Sequence, residues 1–335
     1  MAYDDSILKF GIKPYKKSII SPYTEHSGKN TRREKAAFLA FARNSDLYRM
    51  RKTIRQIEDR FNKNYNYPYV FLSNSPFSYE FIKGIQAMTE SEVQFGLVEG
   101  EAWGRPSWID KEKAETEKRE SKYMNGKIEE YRWQCRAHSG HIFNHPLLDG
   151  KEYYWRIESG SKYSCDIDYD PFKFMKANGI VYGFNMAPIE DLRTVRTLLN
   201  STKDFILNNK DMIPKSNLLD FVLDEQGLYN GCHFWSNFEI VKLEFFRSPE
   251  YTAYFKHLDL AGGMFYERWC DGPIHTMATS IFLNKTQVHY FEDIGYYFPA
   301  LGNCPSRPDT KTKCICDPKK SFGNRHKCIL HWKTL

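Results

Sequence analysis

This chain of 335 residues has no apolar run of about eighteen residues, the length that a membrane-spanning helix requires. Its first ten residues, MAYDDSILKF, lack both the basic start and the apolar stretch of a secretory signal. The sequence therefore predicts no bilayer-spanning segment in these residues. We expect any membrane attachment to need an N-terminal anchor that this chain does not carry.

The chain also lacks a strong excess of one charge. Its 48 basic and 42 acidic residues leave a net charge of +6, and the two signs are interleaved at 32–35 and 110–121. Mixed charge of this kind is typical of solvated helix faces rather than of a stripe that follows a phosphate backbone. We therefore predict no nucleic-acid partner, while a local basic patch for a nucleoside diphosphate is compatible with this balance.

Paired CxxC motifs of the zinc-binding kind are absent, although the chain has eight cysteines. An even number of cysteines, four of them near the C-terminus, favours a disulfide-stapled C-terminal loop region and an oxidising compartment. Two glycosylation sequons, Asn200-Ser-Thr and Asn284-Lys-Thr, agree with passage through the secretory pathway. The pattern leaves the pairing of the cysteines open. The C-terminal four are Cys304, Cys314, Cys316 and Cys328.

Apolar runs and helical periodicity alternate through the first hundred residues. Short buried strands are predicted between amphipathic helices, with Ser45 as a possible cap of the first helix. This alternation predicts an α/β fold with a parallel sheet covered on both faces. The predicted order is strand 36–44, helix 46–63, strand 67–73, helix 78–88 and strand 92–98.

The later elements are less regular. We predict a helix over 130–145, a strand over 152–159 that carries Glu158 near its end, and a strand within 287–298 followed by an aromatic loop. Ligands of such sheets bind at the carboxyl ends of the strands. Arg43, directly after the first strand, is therefore a candidate contact for a nucleotide, and a surface arginine without such a role is the alternative.

The most informative stretch is 232–275, in which Trp, Phe and Tyr surround a few isolated polar groups. Aromatic faces stack on sugar rings, while scattered carboxylates bind hydroxyls or stabilise developing positive charge. An amphipathic core segment with a few satisfied polar groups is the competing interpretation. The polar groups are Asn237, Glu239, Glu267, Arg268, Asp271 and His275.

Two motifs in this stretch, FWSNFEI and GGMFYERWCDGPIH, resemble the fungal Golgi α-mannosyltransferases of the KTR type, glycosyltransferase family 15. The resemblance implies a GT-A-like fold with a mixed, mostly parallel central sheet, and a GDP-mannose donor. It implies one catalytic domain over 31–335, whose halves 31–165 and 166–335 bind mainly nucleotide and acceptor. Residues 1–30 would be an irregular arm or stem remnant. The location implied is the Golgi lumen, with a type II membrane anchor.

The resemblance also implies roles for individual residues. Glu239 corresponds to the family carboxylate on the β-face of the donor sugar, where it would stabilise or attack the anomeric carbon. The motif YRWQCR makes Tyr131 and Arg136 candidates for diphosphate and ribose contacts. The motif ERWCDGPIH places Asp271 and His275 near the donor sugar. Trp235 and Asn237, just before Glu239, are implied near the acceptor mannose.

The metal site is the part that departs from the family pattern. WRIESG matches the family's W-R-x-E-P-D at Arg156 and Glu158, but it lacks the second carboxylate because Gly160 stands there. GYYFP places Phe298 where the family has a histidine. The resemblance still implies Mn²⁺ held by Glu158 together with phosphate oxygens.

His275 and His289 are the alternatives for the missing metal ligand. His289 sits within a strand pattern, which favours a structural role for it.

The activity implied is retaining transfer of mannose from GDP-mannose to a hydroxyl of a terminal α-mannose on N- or O-linked glycans, forming an α-1,2 bond. Two alternatives stay open. One is transfer of mannosyl-phosphate, which some members of the family perform. The other is a catalytically degenerate, glycan-binding member, an interpretation that Gly160 and Phe298 favour.

Overall fold

The computed structural model describes residues 33–299, 301–306 and 313–335, so the predicted arm of residues 1–30 lies outside the described residues. The strands are β1 (Ala36–Phe41), β2 (Tyr69–Ser73), β3 (Val93–Leu97), β4 (Tyr153–Arg156), β5 (Lys162–Tyr163), β6 (Tyr182–Phe184), β7 (Glu239–Lys242), β8 (Val288–Tyr290), β9 (Tyr296–Phe298) and β10 (Leu301–Asn303). The helices are α1 (Leu47–Arg60), α2 (Tyr79–Gln86), α3 (Lys111–Glu120), α4 (Glu129–Arg136), α5 (Pro171–Ala177), α6 (Leu198–Asn208), α7 (Leu219–Val222), α8 (Leu243–Arg247), α9 (Pro249–Ala261), α10 (Gly263–Tyr266), α11 (Asp271–Phe282) and α12 (Lys327–Thr334).

Seven strands form the central sheet in the order β3-β2-β1-β4-β7-β6-β8. Every neighbouring pair is parallel except the two that involve β7, which runs antiparallel to both β4 and β6. Strands β1, β2 and β4 are buried along their whole length, as their continuous apolar runs require of strands covered on both faces. The prediction of a mixed, mostly parallel sheet is confirmed.

Each face of the sheet has its own hydrophobic core. Because side chains alternate along a strand, Tyr154 of β4 joins one core and Trp155 joins the other. Helix α1 packs on the Trp155 side through buried Met50, Ile54 and Ile57. Helix α11, every residue of which except the last is buried, packs on the Tyr154 side.

Three sequence predictions about local structure were wrong. Ser45 does not cap α1, because residues 44–46 form a short 3-10 turn and Asp46 precedes the helix. The helix predicted over 130–145 ends at Arg136, and a wide π turn and a 3-10 turn follow it. The aromatic segment after β8 is not a loop but strand β9.

Strand β9 belongs to a second, three-stranded antiparallel sheet in the order β10-β9-β5. Lys162 pairs with Tyr297 and Tyr163 with Tyr296. The same register brings Phe298 opposite Ser161, three residues after Glu158. This small sheet therefore places the end of β9 beside the loop that follows β4.

All eight cysteines form disulfides, so the prediction of a stapled C-terminal region is confirmed. One disulfide closes a loop within this region, two others attach it to the rest of the domain, and the fourth joins α4 to the residue before α11. The bonds are Cys304–Cys316, Cys165–Cys314, Cys232–Cys328 and Cys135–Cys270. Within the described residues, no helix has the length and apolar character needed to cross a membrane.

Candidate active site

The candidate site lies at the edge of the central sheet where β1 and β4 end. Because β7 runs in the opposite direction, its first residue, Glu239, lies at this same edge. The pairing of Trp155 with Ile240 brings Glu239 opposite Arg156. Tyr154 lies two residues before Arg156 and therefore shares its face of the sheet. The fold thus collects side chains from β4 and β7 on one face, beside α11.

Glu239 is 1% exposed, and both of its carboxylate oxygens accept hydrogen bonds. The Tyr154 hydroxyl donates to Oε1 at 2.6 Å, and the Tyr182 hydroxyl of β6 donates to Oε2 at 2.8 Å. The guanidinium of Arg156 lies 3.9 Å from Oε1. Burial and the Glu239 charge hold the pKa of both tyrosines well above the usual value, so both hydroxyls keep their protons as donors.

His275, in α11, adds a third contact to Glu239. Its Nδ1 lies 3.0 Å from Oε2 of Glu239, and its Nε2 lies 3.2 Å from the main-chain carbonyl oxygen of His138. Both ring nitrogens of His275 therefore face oxygen atoms, and each can donate a hydrogen bond when it carries a proton. The His138 ring is buried and has no hydrogen-bond partner among the described residues, and burial lowers its pKa to about 3.

Asp271 is the first residue of α11, where the helix dipole favours a negative charge. Its Oδ2 accepts hydrogen bonds from the Ser236 hydroxyl, at 2.6 Å, and from Nη1 of Arg156. Burial raises the pKa of this carboxyl, but the charge of Arg156 together with the neighbouring side chains, Ser236 among them, outweighs burial and holds the pKa well below the usual range. Asp271 is therefore a fixed carboxylate.

Arg156 connects these groups to Glu158. Its Nε and Nη2 lie 2.8 Å and 2.7 Å from Oε1 of Glu158, while its Nη1 donates a hydrogen bond to Oδ2 of Asp271. One guanidinium therefore holds two carboxylates and approaches a third. We call the linked set the carboxylate network; its members are Tyr154, Arg156, Tyr182, Glu239, Asp271 and His275.

Glu158 differs from the other two carboxylates because its side chain is 16% exposed. Burial raises its pKa and outweighs the opposing effect of Arg156. Nearby, Phe298 meets the ring of Trp235 edge to face with the ring centroids 5.7 Å apart. We call this more open part of the site the Glu158 rim; it comprises Glu158, Ser159, Gly160, Trp235 and Phe298.

The other predicted contact residues surround these two groups. Tyr131 lies with its hydroxyl 3.8 Å from Sγ of Cys270, next to Asp271, and its ring lies 5.7 Å from the Arg268 guanidinium. Arg43 follows β1 and lies 3.5 Å from Glu130, with 47% of its side chain exposed.

Trp235 and Asn237 lie in the segment before β7 and are half-buried. The Tyr296 hydroxyl donates to the carbonyl of Asn237 at 3.1 Å. This bond joins the segment to strand β9, and with it to the second sheet.

Arg136 has a different position from the other predicted residues. Its side chain is 1% exposed, and its Nε and Nη2 donate to the two oxygens of buried Asp259 at 2.7 Å and 2.8 Å. Its Nη1 donates to the carbonyl of Glu101. The donor groups of Arg136 thus hold α4 against α9, which gives this residue a structural task.

A resident divalent metal would need several oxygen or nitrogen ligands around one point. Within the described ranges, no cluster of three histidine, cysteine, aspartate or glutamate side chains contains Glu158. His275 is bonded to Glu239, and His289 lies in β8 between the rings of Phe174 and Phe291. Protein residues alone therefore do not form a complete metal site at Glu158.

Sequence reasoning missed four members or supports of the site: Tyr154, Tyr182, His138 and Ser236. Tyr154 could have been found from the sequence, because it lies two residues before Arg156 in the same strand and therefore faces the same side of the sheet. Tyr182 and Ser236 could not be found in this way, because their partners Glu239 and Asp271 lie 57 and 35 positions further along the chain.

The fold and the buried carboxylates at its sheet edge define a GT-A-like glycosyltransferase. Residues 9–335 match the family described as glycolipid 2-alpha-mannosyltransferase, and the chain belongs to this family. It is 45% identical over 308 residues to glycolipid 2-alpha-mannosyltransferase 1 of Candida albicans, covering 90% of this chain and 72% of the relative. It is also 45% identical to the alpha-1,2 mannosyltransferase KTR1 of Saccharomyces cerevisiae, covering 87% and 75%.

Two solved structures share the whole architecture. Core-mannan synthase A (CmsA/Ktr4) of Aspergillus fumigatus, in its Mn/GDP form, has a TM-score of 0.84 at 34% identity, covering 98% of this chain and 91% of its own. The mannosyltransferase Ktr4p of S. cerevisiae, in complex with GDP, has a TM-score of 0.85 at 32% identity, covering 98% and 96%. The GT-A-like fold and the family predicted from the motifs are confirmed.

Proposed function

We propose that this protein transfers mannose from GDP-mannose, with retention of configuration, to a hydroxyl of a terminal α-mannose on N- or O-linked glycans. The α-1,2 linkage is the one named for the relatives from C. albicans and S. cerevisiae. The observation that carries the proposal is Glu239, a fully buried carboxylate held by two tyrosines and a histidine at the sheet edge. Removing a carboxylate from water costs free energy, and a carboxylate buried in spite of that cost marks a functional site.

In the proposed reaction, the bond between the anomeric carbon and the β-phosphate oxygen breaks, and GDP leaves with the electron pair. The acceptor hydroxyl oxygen forms the new bond to the anomeric carbon from the same face. Its proton passes to the departing phosphate oxygen, so the products are GDP and the lengthened glycan.

Between attack and stabilisation by Glu239, the geometry favours stabilisation. Three hydrogen bonds already occupy its two oxygens, and the side chain is enclosed. A nucleophile would have to leave these partners to reach the sugar. A fixed carboxylate instead stabilises an oxocarbenium-like transition state without moving, which is how preorganised charges lower barriers.

The remaining assignments follow from position. Arg43, Tyr131 and Arg156 would contact the nucleotide or its diphosphate, and Asp271 with His275 would orient the donor sugar. Trp235 and Asn237 would meet the acceptor mannose by stacking and hydroxyl recognition. For Arg136 we infer an indirect part, since it positions the helix that carries Tyr131.

The GDP-bound relatives support a nucleotide-sugar donor, and the Mn/GDP form of the Aspergillus protein supports Mn²⁺ as the accompanying ion. When bound, the ion would neutralise charge on the leaving diphosphate. Glu158 would be the protein residue that contacts it. We further propose the Golgi lumen as the location, with a type II anchor supplied before this chain, and the four disulfides agree with an oxidising compartment.

The test is transfer from GDP-mannose to methyl-α-mannoside, with NMR analysis of the product. We expect a disaccharide with an α-1,2 bond and release of GDP. GDP-mannose labelled on the β-phosphate identifies the alternative reaction, because only mannosyl-phosphate transfer moves that label to the acceptor. Binding of GDP without any product from a range of mannosides would contradict the proposal.

A further inference from the structure

We propose that the disulfide between Cys135 and Cys270 is a positioning element of the donor site. By joining α4 to the residue before α11, it fixes the distance between Tyr131 and Asp271. This inference rests on the proposed function, because we assigned both of these residues to the donor. It goes further because it gives two cysteines a part in the reaction, in addition to their part in the stability of the fold.

The first observation is the place of the disulfide beside the two donor residues. Cys270 directly precedes Asp271, and its Sγ lies 3.0 Å from Oδ1 of that carboxylate. The Tyr131 hydroxyl lies 3.8 Å from the same sulfur atom. Tyr131 also lies four residues before Cys135 in α4, so both side chains share one face of this helix. One sulfur atom of the disulfide is therefore near both residues.

The second observation is how the Asp271 carboxylate is held. Its Oδ2 accepts hydrogen bonds from Ser236 and Arg156. In the described part of the chain, no N–H or O–H group donates to Oδ1, which faces the disulfide sulfur instead. The carboxylate is therefore fixed by hydrogen bonds on one side and by contact with the disulfide on the other.

The third observation is that other bonds hold α4 in the fold. Nη1 of Arg132 donates to the carbonyls of Met264 and Phe265, at 3.0 Å each, and Arg136 is paired with Asp259. These bonds join α4 to α9 and α10, not to α11. We therefore expect α4 to stay in place without the disulfide, and the loss to be felt at the start of α11.

The segment after α4 also meets α11 through a hydrogen bond. Nε2 of His275 lies 3.2 Å from the carbonyl oxygen of His138, about one turn further along α11 than Asp271. Hydrogen bonds vary in length by about 0.5 Å, whereas a covalent cross-link keeps its atoms at a fixed distance. Without the disulfide, the start of α11 would gain freedom of this order relative to α4.

The experiment removes the cross-link with the double variant Cys135→Ala/Cys270→Ala, which leaves no free thiol at the site. Steady-state kinetics are measured with GDP-mannose and with methyl-α-mannoside, each varied in turn. We expect kcat/KM for GDP-mannose to fall roughly 10- to 100-fold, since a misplacement of about 1 Å costs up to about 100-fold. The KM for the mannoside should stay the same.

The double variant Cys165→Ala/Cys314→Ala is the matched control. Its disulfide joins residues 149 positions apart, against 135 for Cys135 and Cys270, so the two variants should lose similar stability. The control disulfide ties the segment after β5 to the C-terminal region instead of α4 to α11. We expect a similar fall in Tm for both variants, but an unchanged kcat/KM for GDP-mannose in the control.

A double-mutant cycle tests whether the disulfide acts through Tyr131. Tyr131→Phe removes the hydroxyl and should lower kcat/KM for GDP-mannose in the protein with all four disulfides. If the cross-link positions this hydroxyl, the same change should cost less in the Cys135→Ala/Cys270→Ala background, because coupled residues give non-additive effects. A cross-link that merely stabilised the fold would give additive losses.

An unchanged kcat/KM for GDP-mannose in the Cys135→Ala/Cys270→Ala variant would overturn the proposal, and so would an equal loss in the control or additive losses in the cycle. Failure of the variant to fold would also overturn it, because the arginine bonds should hold α4 without the disulfide. In each case the unchanged protein still transfers mannose, so the proposed function survives. Failure of the unchanged protein to bind GDP would instead remove the proposed function, and this inference with it.

Discussion

The two parts of the candidate site are built in opposite ways. In the carboxylate network, each oxygen of Glu239 is hydrogen-bonded, and Asp271 is held by Arg156 and Ser236. At the Glu158 rim, the one carboxylate is 16% exposed, and the Phe298 ring packs edge to face on Trp235. The carboxylates of the first part are buried and paired within the protein, while the carboxylate of the second part is partly exposed.

This contrast indicates how the work of the reaction is divided. Groups that stabilise charge at the sugar must be fixed before the substrate arrives, because reorganisation during the reaction is costly. Groups that neutralise the diphosphate can arrive with it, since the phosphate oxygens are themselves ligands. Changes in the network should therefore affect folding and catalysis together, and changes at the rim should affect binding alone.

The largest effect is expected where the two parts meet, at Arg156. Replacing Arg156 with Leu leaves buried Asp271 and Glu239 without their cation, and breaking a buried pair in this way costs about 3–5 kcal/mol. The free energy of unfolding, measured with urea, should fall by that amount. Arg55→Leu, which breaks an exposed pair with Asp59, should cost no more than about 1 kcal/mol. Equal losses in the two variants would mean that the network does not stabilise the fold.

The second prediction concerns acid stability. Burial lowers the pKa of His138 to about 3, so the folded protein keeps this ring neutral after the unfolded chain has taken up a proton. Stability should therefore fall as the pH drops from about 6.5, the usual pKa of histidine, towards 3. Burial acts in the same direction on the pKa of His141, His145 and His233.

His138→Phe should make the pH dependence shallower by removing one of these groups. The measurement is urea unfolding at several pH values between 7.5 and 4. An unchanged slope in the variant would contradict a buried, neutral His138.

The third prediction concerns the two tyrosine hydroxyls that donate hydrogen bonds to Glu239. Tyr154→Phe and Tyr182→Phe each remove one hydroxyl from Glu239 and should cost about 1.5–3 kcal/mol of stability, as hydrogen bonds to charged groups do. Since the donors hold the carboxylate in place, kcat should fall while the KM for GDP-mannose changes little. A rise in KM with unchanged kcat would show that the tyrosines act on binding instead.

The smallest effect is expected at the rim. Trp235→Ala removes a half-buried ring that contacts Phe298, and aromatic pairs contribute about 0.5–1.5 kcal/mol beyond the area they bury. We expect a higher KM for the mannoside acceptor with kcat and the KM for GDP-mannose nearly unchanged. Steady-state kinetics with each substrate varied in turn make this test, and a large loss of kcat would place Trp235 in the catalytic part.

Much of the fold followed from local patterns. The apolar runs of β1 to β4 and the periodicity of α1 and α2 predicted a sheet covered by helices, because these segments carry their burial pattern within a few residues. Strand β9 could not be recognised in this way. It has three residues, and its partner β5 lies more than a hundred positions earlier in the chain.

The site was predictable as a set of residue types but not as a set of contacts. Family motifs pointed to Glu239, Asp271 and Arg156, which the fold does bring together. They also pointed to Arg136, whose partner Asp259 lies 123 residues away and is invisible to a local motif. A motif shows which residue is present, but the function of that residue depends on which distant partner the fold brings to it.

The most direct test of the account is Glu239→Gln, which keeps the shape of the side chain and removes its charge. We predict that kcat for mannose transfer falls by roughly 100- to 1,000-fold, the loss typical of removing a preorganised stabilising group, while GDP still binds. Glu244→Gln, an exposed glutamate of α8, is the matched control and should keep full activity. Unchanged kcat in the Glu239→Gln variant would contradict the assignment of this buried carboxylate to the chemistry.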